Sequence, residues 1–385
     1  MEVEQSRVYD LIISGSGVYG ASCFYHASRA GKSVLLLEKS KAINSEQSSY
    51  GESRITRQNV FEGQIYPQLA QKSQKIISEI EKQIGQQLQY FNGGLYIGPE
   101  KGNVIKNILD NEHRCPKKLK RFKPKEIEKN FPQFHIDQDV LGVLEETAGY
   151  IYNEEVVKSL IDLGLQEENA RFREECSYLG FEQKKDYICV YTSSGIYKCK
   201  KLILANGIEM VNILQEFGVP IKIQKNQAAW LDLRDDMYKP DKLPIFYYDY
   251  APDKQLYGFP NLGSGVKIGI HLRGDEYNDH RKANFQYDDD LLQELKRLYM
   301  KVFQIDDVKI NYIRTCYYTM IQDEQFVVDF HPHNKNVVLL SCCSGHGFKY
   351  GAQIGLDAFN MTQTNQIPYQ EFSIQRFQFL NQARL

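Results

Sequence analysis

One stretch near the start of the chain constrains its fold more than any other. An apolar run of strand length at residues 9–13 leads directly into Gly15-Ser-Gly17-Val-Tyr-Gly20. A helix-forming stretch follows over residues 21–30, and residues 34–37 have the apolar composition of a second buried strand. Strand, glycine turn, helix and strand in this order form the context that a GxGxxG dinucleotide-binding motif requires.

The glycines of this motif have separate physical roles. Gly15 permits the tight turn, Gly17 lets the backbone approach a pyrophosphate, and Gly20 lets the helix pack closely on the strand. The free N–H groups at the start of the helix, around Val18 and Tyr19, bind phosphates. We therefore predict a dinucleotide site at this turn.

An acidic residue supports the same site. Glu38 ends the second strand, 18 residues after Gly20, where a carboxylate accepts hydrogen bonds from the ribose hydroxyls. The charge of this carboxylate disfavours a 2′-phosphate. FAD or NAD is therefore favoured over NADP as the cofactor.

The composition argues against several classes of protein. The 47 basic and 49 acidic residues nearly balance, which predicts no nucleic-acid partner. No apolar run reaches the ~18 residues that a membrane span needs, and the first strand begins too soon for a signal or transit peptide. The eight cysteines have no regular spacing, so we expect reduced thiols and no metal site.

The middle of the chain has a different pattern from its start. A helix is predicted at residues 288–303, and the basic stretch at residues 105–129 is predicted to be an exposed helix and loop. Short strand-like runs typical of an antiparallel sheet lie at residues 228–233, 245–250, 256–259 and 266–271.

These patterns predict an α/β fold combined with antiparallel β structure, in two domains that are discontinuous along the chain. A Rossmann-type cofactor domain is predicted to comprise residues 1–88, 150–217 and 322–385. A second, mostly antiparallel-sheet domain for the substrate is predicted to comprise residues 89–149 and 218–321.

Motifs spread over the chain resemble one enzyme family, the monomeric sarcosine oxidase and pipecolate oxidase group of FAD-dependent amine oxidases, within the D-amino acid oxidase-like superfamily. The motifs are Ser49-Tyr-Gly-Glu-Ser-Arg-Ile-Thr-Arg57, Tyr257-Gly-Phe-Pro260 with Lys267-Ile-Gly-Ile-His271, Arg314-Thr-Cys-Tyr-Tyr-Thr319 and Ser344-Gly-His-Gly-Phe-Lys349. The resemblance covers nearly the whole chain. The chain departs from the family pattern at Tyr50, where a His is usual, and at Asn206, where a Gly is usual.

The resemblance implies FAD as the cofactor, bonded covalently through Cys316. Arg54 is expected near the flavin ring, where it supports the ring electrostatically. Without the resemblance, Cys316 is equally an inert buried cysteine beside non-covalent FAD. The cofactor-binding residues that the motifs imply are Gly15, Gly17, Val18, Tyr19, Gly20, Glu38, Lys39, Ser49, Arg54, Cys316, Gly345, Gly347, Phe348 and Lys349.

The resemblance also implies roles in the reaction. Arg57 and Lys349 are expected to bind a substrate carboxylate, Arg57 through two parallel hydrogen bonds. Lys267 lies in an apolar strand, where a lysine is unfavourable unless it is used, and its implied role is oxygen activation. His271 and His346 are candidate catalytic histidines.

Two tyrosines, Tyr257 and Tyr318, are expected to line the pocket, with Tyr257 among the catalytic candidates and Tyr318 among the substrate-binding ones. In a chain with 26 tyrosines, packing is the common alternative for either residue.

The predicted activity is oxidation of a secondary amino acid such as sarcosine or L-pipecolate. A hydride equivalent passes to the flavin, the imine hydrolyses, and O2 is reduced to hydrogen peroxide. Alternatives are an oxidase of sugar-modified amino acids, an NAD-binding dehydrogenase, and a flavin-retaining structural or assembly subunit.

The last three residues, Ala383-Arg384-Leu385, resemble a variant of the Ser-Lys-Leu peroxisomal signal. Recognition by a peroxisomal import receptor is therefore expected, with a cytoplasmic location as the alternative. A monomer is the expected oligomeric state.

Overall fold

The computed structural model describes residues 7–60, 62–114, 117–136, 139–252, 254–271 and 274–377. The predicted targeting tripeptide at residues 383–385 lies outside these ranges. Within them the chain forms a mixed α/β fold with three sheets.

The strands are β1 (Val8–Ser14), β2 (Val34–Leu37), β3 (Arg54–Thr56), β4 (Gln89–Tyr90), β5 (Gly94–Gly98), β6 (Lys120–Phe122), β7 (Leu141–Glu145), β8 (Gly149–Ile151), β9 (Ala170–Arg173), β10 (Tyr178–Gln183), β11 (Ile188–Thr192), β12 (Gly195–Leu204), β13 (Ile221–Leu231), β14 (Ile245–Ala251), β15 (Lys254–Phe259), β16 (Val266–His271), β17 (Glu276–Tyr277), β18 (Ile310–Ile321), β19 (Val327–His331) and β20 (Asn334–Ser341).

The helices are α1 (Val18–Arg29), α2 (Tyr66–Ile84), α3 (Asn103–Asp110), α4 (Pro124–Asn130), α5 (Asn153–Leu165), α6 (Met210–Gln215), α7 (Asp289–Phe303) and α8 (Gly351–Thr364). No helix in the described part of the chain combines the length and the apolar character that crossing a membrane requires.

The first sheet is built around a parallel core. Strands β9, β2, β1 and β12 are parallel neighbours in that order, and β20 pairs in parallel with the end of β12. All four residues of β2 are buried, which is typical of a parallel strand covered on both faces. The predicted order of strand, glycine turn, helix and strand is confirmed, with α1 beginning at Val18.

The second sheet contains nine strands in the described residues, in the order β17-β13-β16-β15-β14-β5-β7-β6, with β18 also paired to β13. The prediction of an antiparallel sheet is correct for most pairs. The exception is the pair β14 and β5, which are parallel, as a mostly antiparallel sheet allows. Strand β13 is also longer than predicted, because it begins at Ile221 to pair with β18 along its length.

The register around β13 positions the site. Antiparallel pairing with β16 places Trp230 opposite Lys267. Pairing of the other edge with β18 places Asn226 opposite Cys316. One strand therefore aligns residues from two distant parts of the chain.

The strands of the first sheet come from three separate segments, at residues 8–37, 170–204 and 327–341. The second sheet uses residues 94–145 and 221–321 between them. A small third sheet, β3-β8-β4, carries Arg54. The strands of the first two sheets lie within the segments predicted for each domain, whereas the third sheet combines segments predicted for different domains. The domain boundaries themselves stay a prediction.

The basic stretch at residues 105–129 differs from the exposed helix and loop that its charge predicts. It contains most of α3, strand β6 and most of α4. Ile105, Ile108 and Ile127 are fully buried, because these apolar side chains pack on the second sheet while the charged ones face solvent.

We predict that Gly20→Ala lowers the free energy of unfolding by about 1–3 kcal/mol. A Cβ at Gly20 would lie 1.8 Å from the carbonyl oxygen of Gly15, so the helix and the turn would have to separate. Gly17→Ala is the matched control in the same turn, because its Cβ would meet only Ser49 Oγ, at 3.3 Å. Chemical denaturation compares the two variants; equal losses of stability would contradict this explanation.

Candidate active site

A cavity of about 590 Å³ lies where the start of α1, the edge of the second sheet and the segment after β20 meet. Many of the predicted site residues line this cavity, although they come from opposite ends of the chain. They are Val18, Tyr19, Ser49, Arg54, Arg57, Tyr257, Lys267, His271, Cys316, Tyr318, Gly345, His346, Gly347, Phe348 and Lys349.

The other predicted cofactor residues lie beside this cavity at the β1–α1–β2 crossing. Glu38 is buried, and its Oε2 accepts hydrogen bonds from Ser16 N at 3.0 Å, Ser16 Oγ at 2.8 Å and Gln47 Nε2 at 2.9 Å. Lys39 extends away from them and forms an ion pair with Glu209 at 3.0 Å.

The glycine turn fits the pyrophosphate of FAD. Gly15 has φ +97°, and the N-cap residue of α1, Gly17, has no side chain of its own, while Val18 N donates to Ser49 Oγ at 3.1 Å. The backbone N–H groups at the start of this helix favour an anion. At Gly347 a Cβ would collide with Cys342 O and the Tyr19 hydroxyl, so this segment packs tightly against the start of α1. The residues present therefore fit the expected cofactor.

Arg54 is fixed in the cavity wall by backbone carbonyls. Its guanidinium donates to Ser53 O at 2.8 Å, Ser48 O at 2.8 Å and Tyr50 O at 2.5 Å. These contacts hold a positive charge where the flavin ring is expected.

Cys316 lies in the same part of the cavity, and its surroundings there do not activate the thiol by favouring its ionisation. Burial raises the pKa of Cys316, although Arg54 opposes the shift. Nearby cations, Arg54 first, favour the thiolate, but desolvation of the thiolate outweighs their attraction.

A buried cluster of charges forms the opposite side of the cavity. Arg57 Nη2 contacts Glu62 Oε1 at 2.6 Å, and Lys349 Nζ lies 3.5 Å from the same oxygen. His346 Nδ1 is 3.8 Å away from it. The four side chains are at most 9% exposed, so bulk water screens their charges little.

Burial and pairing act against each other in this cluster. Burial favours a neutral Glu62, yet Arg57 and Lys349 hold its pKa well below its usual range. Burial lowers the pKa of Lys349 to about 8, and Glu62 limits that shift. Near neutral pH the three groups carry two positive charges and one negative charge.

Both predicted histidines are neutral at physiological pH. Burial lowers the pKa of His271 to about 4 and that of His346 to about 3. The His271 ring lies 5.7 Å from the Tyr318 ring, whereas His346 stacks on Phe326 at 4.9 Å. His271 is thus placed among the predicted substrate residues, and His346 beside the carboxylate of the charge cluster.

Lys267 is buried in β16, as its apolar neighbours predict. Its Nζ donates to Ser53 O at 2.6 Å and lies 4.5 Å from the centre of the Phe259 ring and 5.1 Å from that of Trp230. Burial has the largest effect on the pKa of Lys267 and the charge of Arg54 the next largest; together they lower it well below its usual range.

Sequence reasoning missed several residues of this cavity. The most important is Glu62. Its position five residues after Arg57, a predicted substrate-binding arginine, was the available signal in the sequence. Tyr96 and Tyr247 surround the same arginine, with the guanidinium carbon 5.6 Å from the centre of the Tyr96 ring. Trp230, the single tryptophan of the chain, was also missed.

Two curated proteins resemble the chain over most of its length. Monomeric sarcosine oxidase from Streptomyces avermitilis is 27% identical over 361 residues, which cover 91% of this chain and 92% of that protein. N-methyl-L-tryptophan oxidase from Yersinia pestis is 26% identical over 373 residues, which cover 96% of this chain and 99% of that protein.

Solved structures show the same fold at lower identity. NikD, an unusual amino acid oxidase essential for nikkomycin biosynthesis, has a TM-score of 0.83 and 18% identity, with 95% of this chain and 97% of that chain covered. L-proline dehydrogenase from P. horikoshii also has a TM-score of 0.83, at 16% identity, with 97% and 98% covered. The predicted fold class is confirmed.

A model of one family matches the part of the chain that contains the glycine turn and the whole charge cluster. The match extends over residues 10–359, and the family is described as FAD dependent oxidoreductase. The chain therefore belongs to the DAO family of FAD-dependent oxidoreductases.

Proposed function

We propose that this protein is an oxidase of secondary amino acids, with sarcosine, N-methyl amino acids or a cyclic imino acid such as L-pipecolate as substrates. The observation that carries the proposal is the charge cluster of Arg57, Glu62 and Lys349. It leaves one positive charge in excess inside a cavity that also contains the residues expected around a flavin.

An excess buried positive charge favours one anionic ligand. A substrate carboxylate that reaches Arg57 and Lys349 neutralises the excess and gains hydrogen bonds that water does not screen. To do so it shares or displaces the contact with Glu62. Binding in this way fixes the distance between the amine-bearing carbon and the cofactor, which is an orientation effect.

His271 and Tyr318 line the same cavity, where His271 is close enough to the charge cluster to interact with it, and both are available to the remainder of the substrate. Because His271 is neutral near pH 7, it does not repel a cationic amine and can accept or donate a hydrogen bond to orient it. Tyr257 lines the same wall.

The cofactor supplies the redox chemistry: when bound, FAD accepts a hydride equivalent from the carbon next to the amine and passes the electrons to O2, which becomes hydrogen peroxide. The resulting imine hydrolyses in water. Lys267 contributes a buried positive charge, which stabilises negative charge as it develops on dioxygen.

Covalent attachment of FAD at Cys316 is part of the proposal. The thiol lines the cavity together with Arg54, whose positive charge favours the thiolate against the effect of burial.

A second candidate is oxidation of sugar-modified amino acids. Amide side chains of Asn103, Asn107 and Gln255 line the cavity and can hydrogen bond to several hydroxyl groups. The structure of fructosamine oxidase (Amadoriase II) from Aspergillus fumigatus has the same fold, with a TM-score of 0.75 at 16% identity.

The direct test is an absorbance spectrum of the purified protein under anaerobic conditions, before and after addition of sarcosine, L-pipecolate, N-methyl-L-tryptophan or a fructosyl amino acid. Bleaching of the flavin band, followed by peroxide formation in air, supports an oxidase and identifies its substrate class. A flavin that none of these compounds reduces would contradict the proposal.

The cluster predicts a pH dependence of carboxylate binding. Lys349 loses its proton above about pH 8, and the excess positive charge is lost with it. Affinity for acetate, measured from perturbation of the flavin spectrum, should fall by about tenfold per pH unit above this value, because one proton is linked to binding.

Lys349→Met is the control for this prediction. It should weaken acetate binding at neutral pH and remove the decline above about pH 8, since the titrating group is absent. A wild-type affinity that stays constant across this range would mean that Lys349 does not face the carboxylate.

Lys267→Met should slow reoxidation of the reduced flavin by O2 by about 100-fold, because a buried cation near the developing charge is removed. Reduction of the flavin by substrate should change little. Stopped-flow measurement of the two half-reactions separates these effects, and equal slowing of both would rule out a specific role in the oxygen step.

Cys316→Ser should release the flavin on acid precipitation, whereas the wild-type flavin should stay with the precipitated protein. Absorbance of the supernatant measures the released fraction. A variant that keeps its flavin would place the covalent bond on another residue.

A further inference from the structure

A second cavity, of about 400 Å³, lies behind the wall that holds Lys267. Its lining includes Glu52, Tyr152, Glu155 and Tyr312. The neighbours of Glu52 in the chain, Gly51 and Ser53, line the first cavity, whereas the Glu52 side chain faces the second. Glu52 therefore lies at the partition between the two cavities.

The indole of Trp230 lines the first cavity next to this partition. Trp230 Nε1 donates a hydrogen bond to Glu52 Oε2 at 2.8 Å, and the ring stacks on Tyr312 with 4.2 Å between the centres. The centre of the same ring lies 5.1 Å from Lys267 Nζ. The carboxylate therefore contacts the edge of the ring, and the ammonium lies over its face.

This arrangement differs from the contact pair of Arg57 and Glu62. Lys267 Nζ donates to Ser53 O, and no ion pair in the described part of the chain joins it to Glu52. The Lys267 ammonium therefore lies near the Glu52 carboxylate without forming a direct contact with it. The half-buried carboxylate stays hydrated in the second cavity, which reduces the free-energy cost of its charge.

The charges around Lys267 show why the nearby carboxylate of Glu52 matters. Burial and Arg54 both disfavour the ammonium, and Glu52 is the strongest of the groups that favour it. The titratable and charged groups that face Glu52 or Lys267 are Arg54, Tyr150, Tyr152, Tyr312, Arg314 and Cys316.

We propose that Glu52 is a positioning residue for the dioxygen step: held by Trp230 at the partition, it keeps the buried Lys267 ammonium charged and accessible from the first cavity. This inference rests on the proposed oxidase function. Reduction of O2 to H2O2 takes up two electrons and two protons, and a charged Lys267 provides both electrostatic stabilisation and a donor at the site.

The kinetic test compares Glu52→Gln with Glu155→Gln, which removes another carboxylate from the same cavity without contact to Trp230. The flavin of each holoenzyme is reduced with dithionite and mixed with O2, so no substrate is needed. Glu52→Gln should slow reoxidation by about tenfold, because loss of this carboxylate disfavours the Lys267 ammonium. Glu155→Gln should react like the wild type.

A second readout does not depend on turnover. Trp230 is the single tryptophan, so emission excited beyond the absorption of tyrosine reports on this ring alone. Titration of Lys267 should change that emission through its contact with the indole. The midpoint should move to lower pH in Glu52→Gln, stay in place in Glu155→Gln, and disappear in Lys267→Met.

The outcomes separate the two proposals. A wild-type protein that is not reoxidised by O2 with peroxide formation would contradict the oxidase function itself. Rapid wild-type reoxidation together with an unchanged rate, or an unchanged fluorescence midpoint, in Glu52→Gln would overturn the role of Glu52 alone.

Discussion

The cost of burying charge governs this cavity. Arg57, Glu62 and Lys349 are nearly inaccessible to solvent; Glu62 offsets the cost of burying each cation, and the two cations offset the cost of burying Glu62. Glu62 and Lys349 are separated by 287 residues in the chain, so their contact forms only when both ends of the fold are in place. The cluster therefore depends on the whole fold, and it prepares a positively charged surface before any ligand arrives.

The cavity carries its positive charge in two ways. On one side, a carboxylate in direct contact with two cations leaves a surplus that a monoanionic ligand can neutralise. On the other, Lys267 lies over the face of the Trp230 indole, and the edge of that ring binds the carboxylate of Glu52. Direct contact suits a site that exchanges one carboxylate for another, whereas separation suits a small uncharged ligand that acquires charge during reaction.

Patterns of local origin were predictable from the sequence, and contacts of long range were not. The strand from residue 34 to residue 37 and the start of α1 follow from apolar runs and glycine spacing, which act over a few residues. The parallel pairing of β14 with β5 depends on a segment about 150 residues away, so a pattern of short strands could not reveal it.

The same distinction applies to the site. Lys267 is identifiable because a lysine in an apolar strand is unusual in itself. Glu62 has a weaker local mark, its position five residues after Arg57, and its contact with Lys349 depends on the fold. Cys316 is a third case, because its position was predictable while its pKa depends on how deeply the fold buries it.

The register of β13 also limits how proteins of this architecture can diverge. Because β13 is paired along both edges, insertion or deletion of one residue within it would turn its following side chains to the opposite face of the sheet. Trp230 would then leave both Glu52 and Lys267 at once. Substitutions can adjust this strand one side chain at a time, whereas changes of length are tolerable only in the connections that flank it, such as residues 232–244.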